Sequence, residues 1–125
     1  MSTRLLGLAG LILLVSVIAC AQEYRSPQWN GCIGEFYDAS MYNWLAYTNS
    51  CGERLNVVFI PYHPGYGGSS MEIAPGGKGS TGFSRREVDQ KGGFEVYACP
   101  SGYVPVDGQN QYVNRVNTQF RCKKQ

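Results

Sequence analysis

The chain has a single histidine, no C-x-x-C pair and no G-x-S-x-G motif. Each absence removes a class of chemistry. General acid–base catalysis usually needs two groups poised together, and His63 stands alone in the turn-forming run Tyr62-His63-Pro64-Gly65. A pairing with Glu53 or Glu72 and an arginine such as Arg54 or Arg85 would resemble, in residue types alone, the kit of a small secreted ribonuclease. A serine nucleophile would have to share that same histidine. Structural zinc sites draw Cys and His from short spacings, which this chain does not offer. No catalytic residue, cofactor or metal ligand is therefore expected.

Charge of one sign is also lacking. The formal net charge is +2, too balanced for an electrostatic footprint on nucleic acid. The terminal cluster Arg121, Lys123 and Lys124 reads as a solvated end. Long apolar runs are confined to one place, Leu5–Ala19, which follows Arg4 and precedes Gln22, Glu23 and Arg25. A spanning helix needs about twenty apolar residues. A basic residue followed by a shorter apolar run is the pattern of an export signal, so residues 1–21 are expected to be a cleaved signal peptide. Cleavage after Ala19-Cys20-Ala21 leaves Gln22 first. Alternatively, Val17-Ile18-Ala19-Cys20 reads as a lipobox, with the signal ending before Cys20 and a lipid on that cysteine. The expected location is secreted or periplasmic, with a membrane tether only through Cys20.

The remaining cysteines, Cys32, Cys51, Cys99 and Cys122, are even in number in a small exported chain, which implies two disulfides. Three pairings are open. The nested one, Cys51–Cys99 with Cys32–Cys122, is favoured because it ties the chain ends together. Each bridge would contribute roughly 3–5 kcal/mol in the chain-entropy model. Sequential pairing is the alternative.

Short β-prone runs alternate with sixteen glycines and six prolines. After a polar lead-in (22–31), residues 32–125 are expected to form one domain. Tyr42–Thr48 and Leu55–Tyr62, joined by Asn49–Glu53, predict a hairpin. Met71–Ala74, Thr81–Val88, Phe94–Cys99, Tyr103–Val106 and a segment near Phe120 predict further strands. Pro105 suits an edge. Phe36–Tyr47 is the one helical window, with Phe36, Met41, Trp44 and Leu45 roughly on one face, although Tyr, Trp and Thr favour a strand in its second half. The fold expected is all-β: a small antiparallel sandwich or barrel of six or seven short strands, stapled by two disulfides.

Gly76-Gly77-Lys78-Gly79-Ser80-Thr81 has the composition of a phosphate loop, but Gly79 separates the lysine from the hydroxyl residue and strand-like sequence follows. It reads as a hairpin loop. Nine tyrosines, two tryptophans and five phenylalanines are many for a small domain. Most are expected to fill the core. Tyr62 and Tyr66 lie among loop formers, so the 62–70 and 75–82 loops, with Tyr62, His63, Tyr66 and Lys78, are the candidate contact surface. The function expected is a non-enzymatic binding module for an extracytoplasmic protein or carbohydrate. The alternatives are an inhibitor of a secreted protease or lysozyme, and a small hydrolase using His63.

Overall fold

A computed structural model describes residues 23–125; the expected signal segment and Cys20 lie outside the described residues. The described chain is mostly β, in three antiparallel three-stranded sheets. The strands are β1 (Tyr24–Arg25), β2 (Ile33–Asp38), β3 (Trp44–Asn49), β4 (Leu55–Pro61), β5 (Ser69–Ile73), β6 (Lys78–Ser80), β7 (Phe94–Pro100), β8 (Tyr103–Val106) and β9 (Arg121–Lys124). A 3-10 turn (Trp29–Cys32) precedes β2, and one helix, α1 (Arg85–Gln90), precedes β7. The sheet orders are β1-β9-β8, β2-β3-β6 and β5-β4-β7. Among the described residues no helix is long and apolar enough to cross a membrane.

Strand β4 is central because it is apolar on both faces. Leu55, Val57 and Phe59 point into the main core with Leu45, Tyr47, Ile73, Val88, Phe94 and Trp29. Val58 and Ile60 point the other way, into a smaller cluster with Tyr97, Val113 and Phe120. Period-2 alternation makes one strand serve two layers. The polar lead-in is part of the packed unit: β1 pairs with β9, Trp29 is buried, and Asn30 bonds Val96 O and Ala98 N at 2.9 and 2.7 Å.

Several expectations are corrected. The predicted β3–β4 hairpin does not form; β3 lies between β2 and β6, and β4 lies between β5 and β7. The turn between them is organised around Asn49, which is 1 % exposed. Its Oδ1 accepts from Cys51 N (2.9 Å), and its Nδ2 donates to Glu53 O (2.7 Å) and Ile73 O (3.0 Å). Instead of a tight reversal, the turn carries the chain from one sheet into another. The helical window is instead β2, a turn and β3. Asp38 O accepts from Met41 N and Asn43 N, and Met41 O accepts from Trp44 N, each at 2.9 Å. Tyr42 and Asn43 both have φ +56°, the sign a type I′ turn requires at its two central residues, and the turn closed by Met41 and Trp44 sits within the five-residue connection 39–43.

The predicted strand Thr81–Val88 instead leads into and contains much of α1. Ser84-x-x-Glu87 is a capping box: Ser84 Oγ accepts from Glu87 N, and Glu87 Oε1 accepts from Ser84 N. The 75–82 loop contains β6, and the last strand begins at Arg121 rather than around Phe120. Pro105, which has no N–H to donate, lies on the end strand β8.

The disulfides are sequential, Cys32–Cys51 and Cys99–Cys122, not nested. The β2–β3 register, with Ile33 opposite Asn49, brings the Cα atoms of Cys32 and Cys51 to 5.3 Å. Cys99 sits in β7, and the β8–β9 pair returns Cys122 to within 5.6 Å of it, Cα to Cα. Each bridge closes a local supersecondary unit.

Candidate functional site

The structure assembles three of the four predicted contact residues. His63 N donates to Lys91 O (2.9 Å) and Tyr62 N donates to Gly93 O (3.0 Å), so the loop after β4 is docked on the turn that ends α1. The His63 ring meets the Tyr66 ring edge-on at 5.5 Å, and Lys91 Nζ lies 4.2 Å from the Tyr66 ring centre. His63 Nδ1 is 2.8 Å from Pro64 O. The cluster is exposed, cationic and aromatic. It brings no carboxylate to the imidazole.

Lys78 belongs elsewhere. It lies in β6, and its Nζ is 2.6 Å from Asp38 Oδ2 and 3.1 Å from Ser40 Oγ. The Lys78 ammonium, then the Ser40 hydroxyl, hold the Asp38 carboxyl below the usual carboxylate range, against the opposing effect of burial. This pair marks a second and larger surface. In the β2-β3-β6 sheet, Ile33, Tyr37, Leu45 and Tyr47 face the main core. Alternation therefore places Gly34, Phe36 and Asp38 of β2, Trp44, Ala46 and Thr48 of β3, and Lys78 and Ser80 of β6 on the outer face.

Phe36 and Trp44 belong to neither hydrophobic cluster, yet each is only partly covered. The hairpin turn extends the surface with Met41, 41 % exposed, and Tyr42, 80 % exposed. The Tyr42 ring lies 4.9 Å from that of Trp44, tilted by 41°. Phe36, Ala46 and Ser80 form one row across the three strands, with Ala46 fully covered, and Gly34, Thr48 and Lys78 form the next. Added at Gly34, a Cβ would collide with Thr48 Oγ1.

Sequence reading did not single out Phe36, Met41, Tyr42 or Trp44 as contact residues. The usable signal was alternation. In both β2 and β3, large apolar residues occur on odd and even positions alike, so one face must carry a surplus once the other is buried.

A third feature is a cleft of about 440 Å³ between β4–β5 and the Tyr112–Asn114 segment. It is floored by Val58 and Ile60, rimmed by Asn56, Ser69, Ser70 and Asn114, and lined by no acidic, basic or histidine side chain. Among the described residues, no three His, Cys, Asp or Glu side chains converge as a metal site. Inside the sheet, the Tyr47 hydroxyl is buried with no hydrogen-bond partner among the described residues. Burial first, then the nearby Glu35 and Tyr37, push its pKa up.

The chain was compared with protein-family models, with curated proteins and with solved structures, and no significant match was found in any of the three. The class defined here is that of a small, mostly β domain with two disulfides.

Proposed function

We propose that this chain is an exported, non-enzymatic binding module, secreted or periplasmic, whose contact surface is the outer face and tip of the β2–β3 hairpin. In this reading the three sheets are a small variant of the sandwich or barrel architecture. One observation carries it: Phe36, Met41, Tyr42 and Trp44 stand on a single hairpin outside both hydrophobic clusters. Aromatic side chains have few rotamers to lose and dominate binding surfaces for that reason. The hairpin is closed at its base by Cys32–Cys51 and at its tip by two backbone turns, so the backbone that carries the rings is ordered before any partner arrives. Export is supported by the apolar segment Leu5–Ala19 and the two disulfides.

The test compares wild type, Trp44→Ala, Tyr42→Ala and His63→Ala. Each is assayed for retention on immobilised neutral polysaccharides, lysozyme and trypsin, and for turnover of RNA, peptide and glycan substrates. Retention that depends on Trp44 and Tyr42, without turnover, is the expected result. Hydrolysis that His63→Ala abolishes would overturn the reading in favour of a small hydrolase. Stoichiometric slowing of lysozyme or trypsin would specify the module as an inhibitor.

A further inference from the structure

Resting on that reading, we propose that the β2-β3-β6 face binds an uncharged, extended β-1,4-linked glycan, whose sugar rings stack on Trp44 and Tyr42 while their hydroxyls reach the polar groups between the rings. The chemistry of the face selects this ligand. A pyranose ring presents an apolar C–H face and a belt of equatorial hydroxyls. It is therefore matched by an aromatic ring set beside neutral donors and acceptors. Here Phe36, Trp44 and Tyr42 supply the rings, while Thr48 and Ser80 supply neutral polar groups on the same face. The one cation and the one anion of the face, Lys78 and Asp38, neutralise each other at 2.6 Å. Their mutual neutralisation gives a charged polymer no electrostatic advantage.

Size points the same way. The outer face has eight ladder positions, of which Asp38 and Ala46 are buried, and a five-residue tip, whereas a stable protein interface engages about 20–30 residues a side. Along β2, Gly34 to Asp38 spans about 13 Å at strand rise, room for a short run of sugar rings on an open face. Small-molecule sites, by contrast, are usually concave.

The experiment is titration of the oxidised, exported protein with cellohexaose and with chitohexaose, together with retention on cellulose and chitin. Binding of at least one glycan is expected. Trp44→Ala and Tyr42→Ala should each weaken it by about tenfold or more, the loss of a central aromatic anchor. Tyr66→Ala and Tyr112→Ala, whose rings lie outside the hairpin, should leave it within about twofold. Tyr42 is a turn residue on the surface, so its variant remains informative if Trp44→Ala fails to fold.

No binding to either glycan, or binding lost on Tyr66→Ala and kept on Trp44→Ala and Tyr42→Ala, overturns the proposal. Trp44-dependent retention on lysozyme or trypsin without glycan binding also overturns it, yet leaves the binding-module reading standing. If nothing retained depends on Trp44 or Tyr42, both fall.

Discussion

Lys78 Nζ lies 2.6 Å from Asp38 Oδ2, although the two residues sit on opposite outer strands of the β2-β3-β6 sheet. The lysine stem crosses the outer face to reach a buried carboxylate that also accepts from Ser40 N and Ser40 Oγ. The pair thereby fixes the edges of the candidate surface to each other.

The first prediction concerns pH. Asp38 is held below its unfolded value of about 3.9. Its contribution to stability is therefore complete above that value and is lost as pH falls through the lower, folded value. Thermal melts from pH 2 to 7 should show wild type well above Asp38→Asn at neutral pH, with the gap closing below about pH 4. A gap that stays constant across the range would mean that the carboxylate contributes nothing as a charge. Lys78→Met should reproduce the neutral-pH loss, and Lys78→Arg should recover part of it.

Asn49 should be one of the least replaceable polar residues. Asn49→Ala strands Cys51 N, Glu53 O and Ile73 O in or near the core. Unsatisfied buried groups cost about 1–3 kcal/mol each, so a loss of about 3 kcal/mol is expected by denaturant unfolding. Asn49→Asp, which keeps the acceptor but removes both donated bonds, should also be destabilised. A loss under about 1 kcal/mol for Asn49→Ala would show that the sheet switch is held by packing alone.

Tyr47 should behave in the opposite sense. Its hydroxyl is buried without a partner among the described residues, so Tyr47→Phe should raise stability by about 1 kcal/mol. Its pKa is raised in the fold, so the stability it confers is complete below the unfolded value near 10 and falls as pH climbs beyond it. Wild type should lose melting temperature above about pH 10 more steeply than Tyr47→Phe. A large destabilisation of Tyr47→Phe would reveal a bond to the hydroxyl.

The turn at Tyr42 is expected to trade stability for exposure. A non-glycine residue in the left-handed region costs about 1–2 kcal/mol, and Tyr42 sits there at φ +56° with most of its ring in solvent. Replacing Tyr42-Asn43 by Asn-Gly, the preferred type I′ pair, should raise the melting temperature and abolish glycan retention together. Retention that survives the exchange would remove Tyr42 from the site.

Peptide mapping of the non-reduced protein checks the bridges. Cys32–Cys51 and Cys99–Cys122 should appear as the two cross-linked pairs, and intact mass should rise by four hydrogens on reduction. Nested pairs would contradict the β2–β3 register.

Much of the local structure was legible. The β-prone run Leu55–Tyr62, the alternation in Phe94–Cys99 and the extended Tyr103–Val106 became β4, β7 and β8 close to their predicted limits. The helix was legible in principle, since Ser84-x-x-Glu87 is a capping signature. Phe83 and Val88 drew attention to strand periodicity instead. Tyr62, His63 and Tyr66 were correctly placed in an exposed loop. Lys78 was separated from them because its strand pairs with β3, a partner distant in sequence.

By itself, then, the sequence determined a mostly β chain, its turns and the four cysteines available for bridging, because these follow from local propensity and composition. Strand partners, cysteine pairs and the aromatic rings left outside the core were decided only in the tertiary structure. Alternation assigns each residue to a face but cannot say which face will be covered. That depends on contacts such as Asn49 with Ile73, formed between residues far apart in the chain.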